Sequence, residues 1–222
     1  MSDILSESFM AKLCALDTSH ASDAMDKLGI NGQCAGLLPL SRESRLAGRA
    51  FTVRYVPVGI DGGTVGDYID DLEPGTVVVL DNAGRLDTTV WGDLLTAVAA
   101  RKNLGGTVID GVCRDSDRAC ELGYPVYSKS RWMRTGKDRV RADGYNVPVS
   151  IGGVRVEHGD YLLGDADGVV VLPASRALEI VDVAREIRDA EEHIRALVNE
   201  GHSLSDARRQ FGYHTLQARG EA

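Results

Sequence analysis

Membrane-spanning runs, leader signals and cysteine pairs are the first features this chain lacks. No stretch approaches the roughly 18 consecutive apolar residues that cross a bilayer. The N-terminal segment shows no basic stretch followed by an apolar core and a small-residue cleavage site. Cys14, Cys34, Cys113 and Cys120 form no CxxC pair. A cytoplasmic protein with reduced thiols is the expectation, with no membrane among its partners. No GxGxxG follows a strand and no GxxxxGK[ST] occurs, so nucleotide cofactors are not indicated. No GxSxG elbow supports a serine nucleophile. His20, His158, His193, His202 and His214 show no HExxH spacing, which argues against a local zinc motif and leaves them surface or capping roles. Prolines number only 6 against 25 glycines, a balance that points to many tight turns between short strands.

What remains is an ordinary globular composition. With 222 residues, 43% hydrophobic and 26% charged, one packed core is expected over 1–222, with 174–222 a helical extension at a subunit interface. The formal charge of −8 argues against broad binding to nucleic acid, which draws its affinity from Lys and Arg on phosphates. It leaves room for a small anionic ligand, which answers to the local field of a cleft.

Patterning gives the elements. Residues 6–29 read as two helices, the second capped by Thr18 or Ser19 and stopped by Gly29. Residues 48–58 alternate like a half-buried strand, 64–72 suggest a short helix, and 75–80 read as a buried strand that turns at Asp81-Asn82-Ala83-Gly84. Residues 147–173 hold several β runs punctuated by glycines. Asp165-Ala166-Asp167-Gly168 is a tight turn there and not a calcium loop, because the later carboxylates of such a loop are missing. From Ala174 to Asn199 the pattern is a long amphipathic helix, with Ile180, Val183, Ala184, Ile187, Ile194 and Leu197 on one stripe.

The stretch from Trp91 to Tyr127 carries the chemistry. Asp93 opens a helix that Gly105-Gly106 ends, and Thr107-Val108-Ile109 is a β-branched strand leading to Arg114 and Asp115 at the start of the next helix. Twenty residues separate Asp93 from Arg114. A strand between two helices can bring both junctions to one sheet edge, so two carboxylates and a guanidinium would meet there. That set suits a hard metal ion and an anionic ligand. Each residue also has a plainer role: Asp93 and Asp115 as helix caps, Arg114 as an ion-pair partner of Asp115 or Asp117. The amides of Leu94 and Leu95 would add a carboxylate cradle. Cys113 beside Arg114 reads as a small buried hydrophobe.

GDLL at 92–95, IDGVCRD at 109–115 and GYPVY at 123–127 resemble the family of 4-hydroxy-4-methyl-2-oxoglutarate aldolases and ribonuclease E activity regulator A proteins. SDAMDKLG at 22–29, AGRAFTV at 47–53, PVSIGGVRVEHGD at 148–160 and DADGVVVLP at 165–173 extend the likeness over most of the chain. The resemblance implies an α/β fold of the swivelling β/β/α type and a homotrimer or homohexamer with its site between subunits. It implies a Mg²⁺ (or Mn²⁺) cofactor and a small anionic 2-oxo acid substrate. Asp115 matches the direct metal ligand, Asp93 the carboxylate that reaches the ion through water, and Arg114 the contact to the keto oxygen. Gly92, Leu94 and Leu95 match the segment that binds the pyruvyl carboxylate. Glu191, with Glu192 beside it, is the candidate for a glutamate supplied by a neighbouring subunit, although both also fit a solvated helix face. The activity implied is pyruvate-forming cleavage of a 4-hydroxy-2-oxo acid such as 4-hydroxy-4-methyl-2-oxoglutarate or 4-carboxy-4-hydroxy-2-oxoadipate, with oxaloacetate decarboxylation. The regulator branch, which binds ribonuclease E, is the alternative. Asp115 and the long C-terminal helix favour the aldolase branch. The segment 59–66, GIDGGTVG, departs from the family pattern and is a place where substrate choice would be set.

Overall fold

The computed structural model describes residues 2–60 and 63–213, and side chains from residue 8 onward. His214 and residues 61–62 of the divergent 59–66 segment lie outside the described residues. The chain opens with helices α1 (Ser2–Cys14) and α2 (Thr18–Leu28). Short strands β1 (Gln33–Cys34) and β2 (Leu38–Pro39) lead to β3 (Leu46–Pro57), a 3₁₀ turn at Asp67–Asp71 and β4 (Thr76–Thr89). Then come α3 (Asp93–Arg101), β5 (Gly106–Cys113), α4 (Ser116–Glu121), β6 (Val126–Arg131), β7 (Val140–Tyr145) and the hairpin β8 (Val149–Ile151) and β9 (Val154–Val156). The last elements are β10 (Tyr161–Asp165), β11 (Gly168–Leu172), α5 (Ala177–Asn199) and α6 (Leu204–Gln210).

Nine strands form one mixed sheet in the order β1-β11-β10-β3-β4-β5-β6-β2, with β7 pairing the far half of β3. The inner four, β3 to β6, run parallel. Alternation along β4 shows why the sheet is buried on both faces. Val77 and Val79 pack with the β8–β9 hairpin, while Val78 and Leu80 pack with α3 and α4. On β3, Ala47 joins the cluster of α1, α2 and α5, and its same-face neighbours Phe51 and Val53 join that of α3. Both helical groups therefore lie on one face of the sheet and the hairpin on the other. This is the β/β/α layering expected. β5 is buried at all eight positions, as a central parallel strand with both faces covered must be.

Several local expectations are corrected. Asp17, not Thr18 or Ser19, caps α2: its side chain bonds the His20 amide while the His20 ring accepts from the Asp17 amide. The Asp17 side chain reaches the third helical amide, which leaves Thr18 free to bind Asp165. The 64–72 helix is a single 3₁₀ turn. β4 does not end at Leu80. It kinks at Ala83 and Gly84, both at positive φ, and continues to Thr89, and its pairing with β5 shifts register twice on the way. Helix α3 ends at Arg101, before Gly105-Gly106, because Asn103 takes the left-handed conformation and the Gly105 amide turns to Thr76 O. Helix α5 starts at Ala177 and not Ala174, whose amide is held by Asp160. Among the described residues no helix is long and apolar enough to cross a membrane.

Candidate active site at the start of helix α3

Neighbouring parallel strands deliver their C-terminal connections to one sheet edge, and here β4 and β5 are adjacent. β4 leads through Val90 and Trp91 into α3, and β5 leads through Arg114 and Asp115 into α4. The two junctions are tied by the Arg114 amide, which donates to Trp91 O at 3.1 Å. Trp91 is buried and anchored: its Nε1 donates to Thr96 Oγ1 at 2.9 Å, that hydroxyl donates to Gly92 O at 2.8 Å, and the indole stacks on Tyr124. The expected convergence of Asp93, Arg114 and Asp115 is thus observed.

The capping expectation is corrected for both acids. Gly92 holds the cap position of α3 and Asp93 is its first helical residue. Asp115 stands at the cap position of α4 but in the left-handed conformation (φ 52°), and its side chain does not cap its own helix. It points to the other helix instead. Asp115 Oδ2 accepts the Asp93 amide at 3.3 Å and lies 3.3 Å from Arg114 Nε. Asp93 Oδ1 accepts the Leu94 amide at 2.8 Å. The first bond of the helical ladder runs from the Thr96 amide to Gly92 O, so the amides of Asp93, Leu94 and Leu95 are the ones a helix leaves unpaired at its positive end. Two carboxylates occupy that end. The side chains of Arg114 and Asp115 are 38% and 40% exposed, open enough to exchange partners.

A cavity of about 150 Å³ opens here, bounded by Gly92, Asp93, Leu94, Leu95 and Arg114. Its far wall is made by Val65, Thr89 and Thr135; Val65 falls in the divergent 59–66 segment where substrate choice was expected to be set, whereas Thr89 and Thr135 were not read from the sequence. Thr135 reaches the site through an isolated bridge to Thr89. The one local signal was Gly136, where a Cβ would sit 2.3 Å from Thr89 O. Gly92 is equally constrained: a Cβ there would lie 2.8 Å from Asp115 Oδ2 and 3.1 Å from Arg114 Nε. Both functional groups thus crowd the space its missing side chain leaves.

Among the described residues no cluster of three or more His, Cys, Asp or Glu side chains is placed to hold a metal ion. Two carboxylates with access to water are the donor set Mg²⁺ takes, since that ion keeps several waters and needs only one or two protein carboxylates. Asp115 and Asp93 fit that pattern, and the hard oxygen donors suit Mg²⁺ or Mn²⁺. Glu191 is not brought to them within one chain. It stands on α5, with Oε2 3.5 Å from His20 Nε2, and Glu192 lies 4.0 Å from Arg188. Cys113 is a buried hydrophobe as expected, its Sγ 3.5 Å from Ser128 Oγ and its thiol pushed upward by burial.

The chain matches a family described as RraA-like: Aldolase/RraA over residues 18–171. It is 37% identical over 207 residues to Protein DlpA of Legionella pneumophila, covering 92% of this chain and 34% of that one, so the chain spans about a third of DlpA. It is 30% identical over 178 residues to a Halalkalibacterium halodurans protein named "Putative 4-hydroxy-4-methyl-2-oxoglutarate aldolase", covering 80% of this chain and 82% of that one. The crystal structure of Streptomyces coelicolor RraAS2, described as an unusual member of the RNase ES inhibitor RraA family, superposes with a TM-score of 0.77 at 30% identity, over 85% of this chain and 96% of that one.

Proposed function

The chain belongs to the RraA-like (Aldolase/RraA) family, and on that premise we propose that it is a divalent-metal-dependent lyase releasing pyruvate from a 4-hydroxy-2-oxo acid. The observation that carries this reading is the meeting of Asp93, Asp115 and Arg114 at the open start of α3. In this reading Asp115 holds the metal directly and Asp93 holds it through water. Mg²⁺ or Mn²⁺ held there would supply the Lewis acidity that lets the keto group of a 2-oxo acid accept the electron pair of the breaking carbon–carbon bond.

The chain's own groups do the rest. The substrate carboxylate takes the amides of Leu94 and Leu95, displacing the Asp93 side chain from the first of them. That exchange frees the Asp93 carboxylate to receive, through a bridging water, the proton of the C4 hydroxyl. As the C3–C4 bond breaks, Arg114 donates to the oxygen on which enolate charge develops. Oxaloacetate loses carbon dioxide through the same enolate, so decarboxylation belongs to the same site. A cavity of about 150 Å³ holds the pyruvyl half of such a substrate, and the remainder extends outward, where a homotrimer or homohexamer would bring a neighbour's Glu191.

Likeness to RraAS2 favours a second reading, a binding protein that regulates ribonuclease E. One experiment separates them: pyruvate release from oxaloacetate and from 4-hydroxy-4-methyl-2-oxoglutarate by metal-stripped protein, with and without added Mg²⁺, against the metal-only background. Metal-dependent release supports the lyase. No release, with ribonuclease E retained in a pulldown that Asp115→Ala does not weaken, supports the regulator.

A further inference from the structure

A second cavity is larger than the first and shares no residue with it. A cleft of about 660 Å³ lies over β3 on the helical face of the sheet. Phe51, Tyr68 and Tyr145 form a continuous aromatic surface there, with ring centroids 5.6, 6.4 and 5.7 Å apart for Phe51–Tyr68, Phe51–Tyr145 and Tyr68–Tyr145, and His158 sets its ring edge-on to Phe51. The Tyr68 hydroxyl is turned inward to Tyr55 at 3.4 Å, so this residue offers the cleft its ring. A volume of this size is that of a small-molecule site.

The charges around the rings decide what fits. Asp67, Asp71 and Glu73 line the cleft beside Tyr68. Asp67 accepts the Thr64 hydroxyl at 3.1 Å, and among the described residues none of the three acids forms an ion pair. The guanidinium lining the cleft, Arg49, is already engaged: its Nε donates to Gly159 O at 3.3 Å and it lies 5.6 Å over the Tyr161 ring. An anion would face three carboxylates against the one guanidinium of Arg49, and a neutral apolar ligand would strip water from them without compensation. A cation gains from both walls, because aromatic faces carry negative potential and carboxylates full charge.

We propose that this cleft is a binding site for a small organic cation with a flat or methylated head, of the amidinium, guanidinium or quaternary ammonium class, separate from the site at Asp93. Benzamidinium, benzoate and benzyl alcohol share a phenyl ring and differ in charge, so calorimetric titration of the whole protein with each tests it. Saturable binding of benzamidinium is expected, about tenfold or more tighter than either analogue. Tyr145→Ala should weaken it by about fivefold, and Asp71→Asn combined with Glu73→Gln by about tenfold with a smaller salt dependence, Asp67 remaining. Asp93→Asn should leave it unchanged. Benzoate binding as tightly as benzamidinium would overturn the proposal, as would affinity that survives the double carboxylate variant. Absence of saturable binding, the result if another copy of the chain covers the cleft, would overturn it too.

Discussion

The carboxylate of Asp115 reaches past its own helix to accept the backbone N–H of Asp93, 3.3 Å away at the start of another. A left-handed backbone at φ 52° aims it there, a conformation that disfavours most side chains by about 1 kcal/mol or more. Glycine would relax that strain. Asp115→Gly should therefore melt at or above the wild-type temperature while metal-dependent pyruvate release disappears. Scanning calorimetry and the pyruvate assay on the same preparation check both halves; retained turnover would remove Asp115 from the metal.

Gly92 sits at φ −151°, where alanine is comfortable, so its cost is one of space. The added methyl would displace Asp115 Oδ2 and Arg114 Nε, both ends of flexible side chains. Gly92→Ala should fold with little change in melting temperature and lose about 10²-fold in kcat/KM, the usual effect of moving reacting groups by about 1 Å. A variant that folds and turns over normally would mean these two groups need not hold their positions.

Arg114→Lys should lower kcat by about 10²-fold or more, because an ammonium offers one point charge where the guanidinium offers a planar fork. Its pairing with Asp115 is on the surface and contributes little to stability. Circular dichroism melts should coincide with wild type. Unchanged kcat would show that Arg114 does not meet the developing enolate.

How much of this was legible in the sequence divides along physical lines. Asp93, Arg114 and Asp115 could be placed together because a buried β-branched strand between two helices fixes where its ends go, and Gly29 marked a helix end because only the left-handed cap wants glycine there. The fate of Asp81-Asn82-Ala83-Gly84 was not legible. Those residues have turn chemistry, yet the flanking strand pairs with β5 on both sides of the kink, and tertiary pairing outweighed local preference. Thr135 was invisible for a related reason: it meets the site only through its long-range bridge to Thr89, with no spacing to announce it, whereas Val65 lies in the 59–66 segment whose departure from the family pattern had marked it.

Lys129 and Asp110 make a partly buried pair, Nζ to Oδ1 at 2.7 Å, beneath the β8–β9 hairpin, and Asp110 also accepts the Gly152 amide at 3.2 Å. The same carboxylate, after burial itself, pushes the neighbouring Cys34 thiol up to about 12. Removing the cation strands the charge. Lys129→Met should destabilise by about 1–3 kcal/mol, because Asp110 is buried but the lysine side of the pair is open to water, with part recovered on adding Asp110→Asn. Urea denaturation of the two singles and the double forms the cycle, and additive effects would deny the coupling.

Asp165 offers a test through pH. Burial works to raise its carboxyl, but the Thr18 amide and hydroxyl at 2.7 Å, the Asp167 amide at 2.9 Å and the Arg45 guanidinium at 3.6 Å outweigh it, and the net shift is downward. A carboxyl lowered in the folded state stabilises it fully above its unfolded value of about 3.9, and the contribution fades as pH falls through the lower folded value. Asp165→Asn keeps the shape but surrenders the charge and sets an amide against two N–H donors. It should cost about 1–3 kcal/mol at pH 7. Below about pH 4 the wild type loses the same advantage, so the two unfolding free energies should converge when measured in urea from pH 7 down to pH 3. A gap of constant size across that range would mean that the charge on Asp165 is not what ties α2 to the β10–β11 turn.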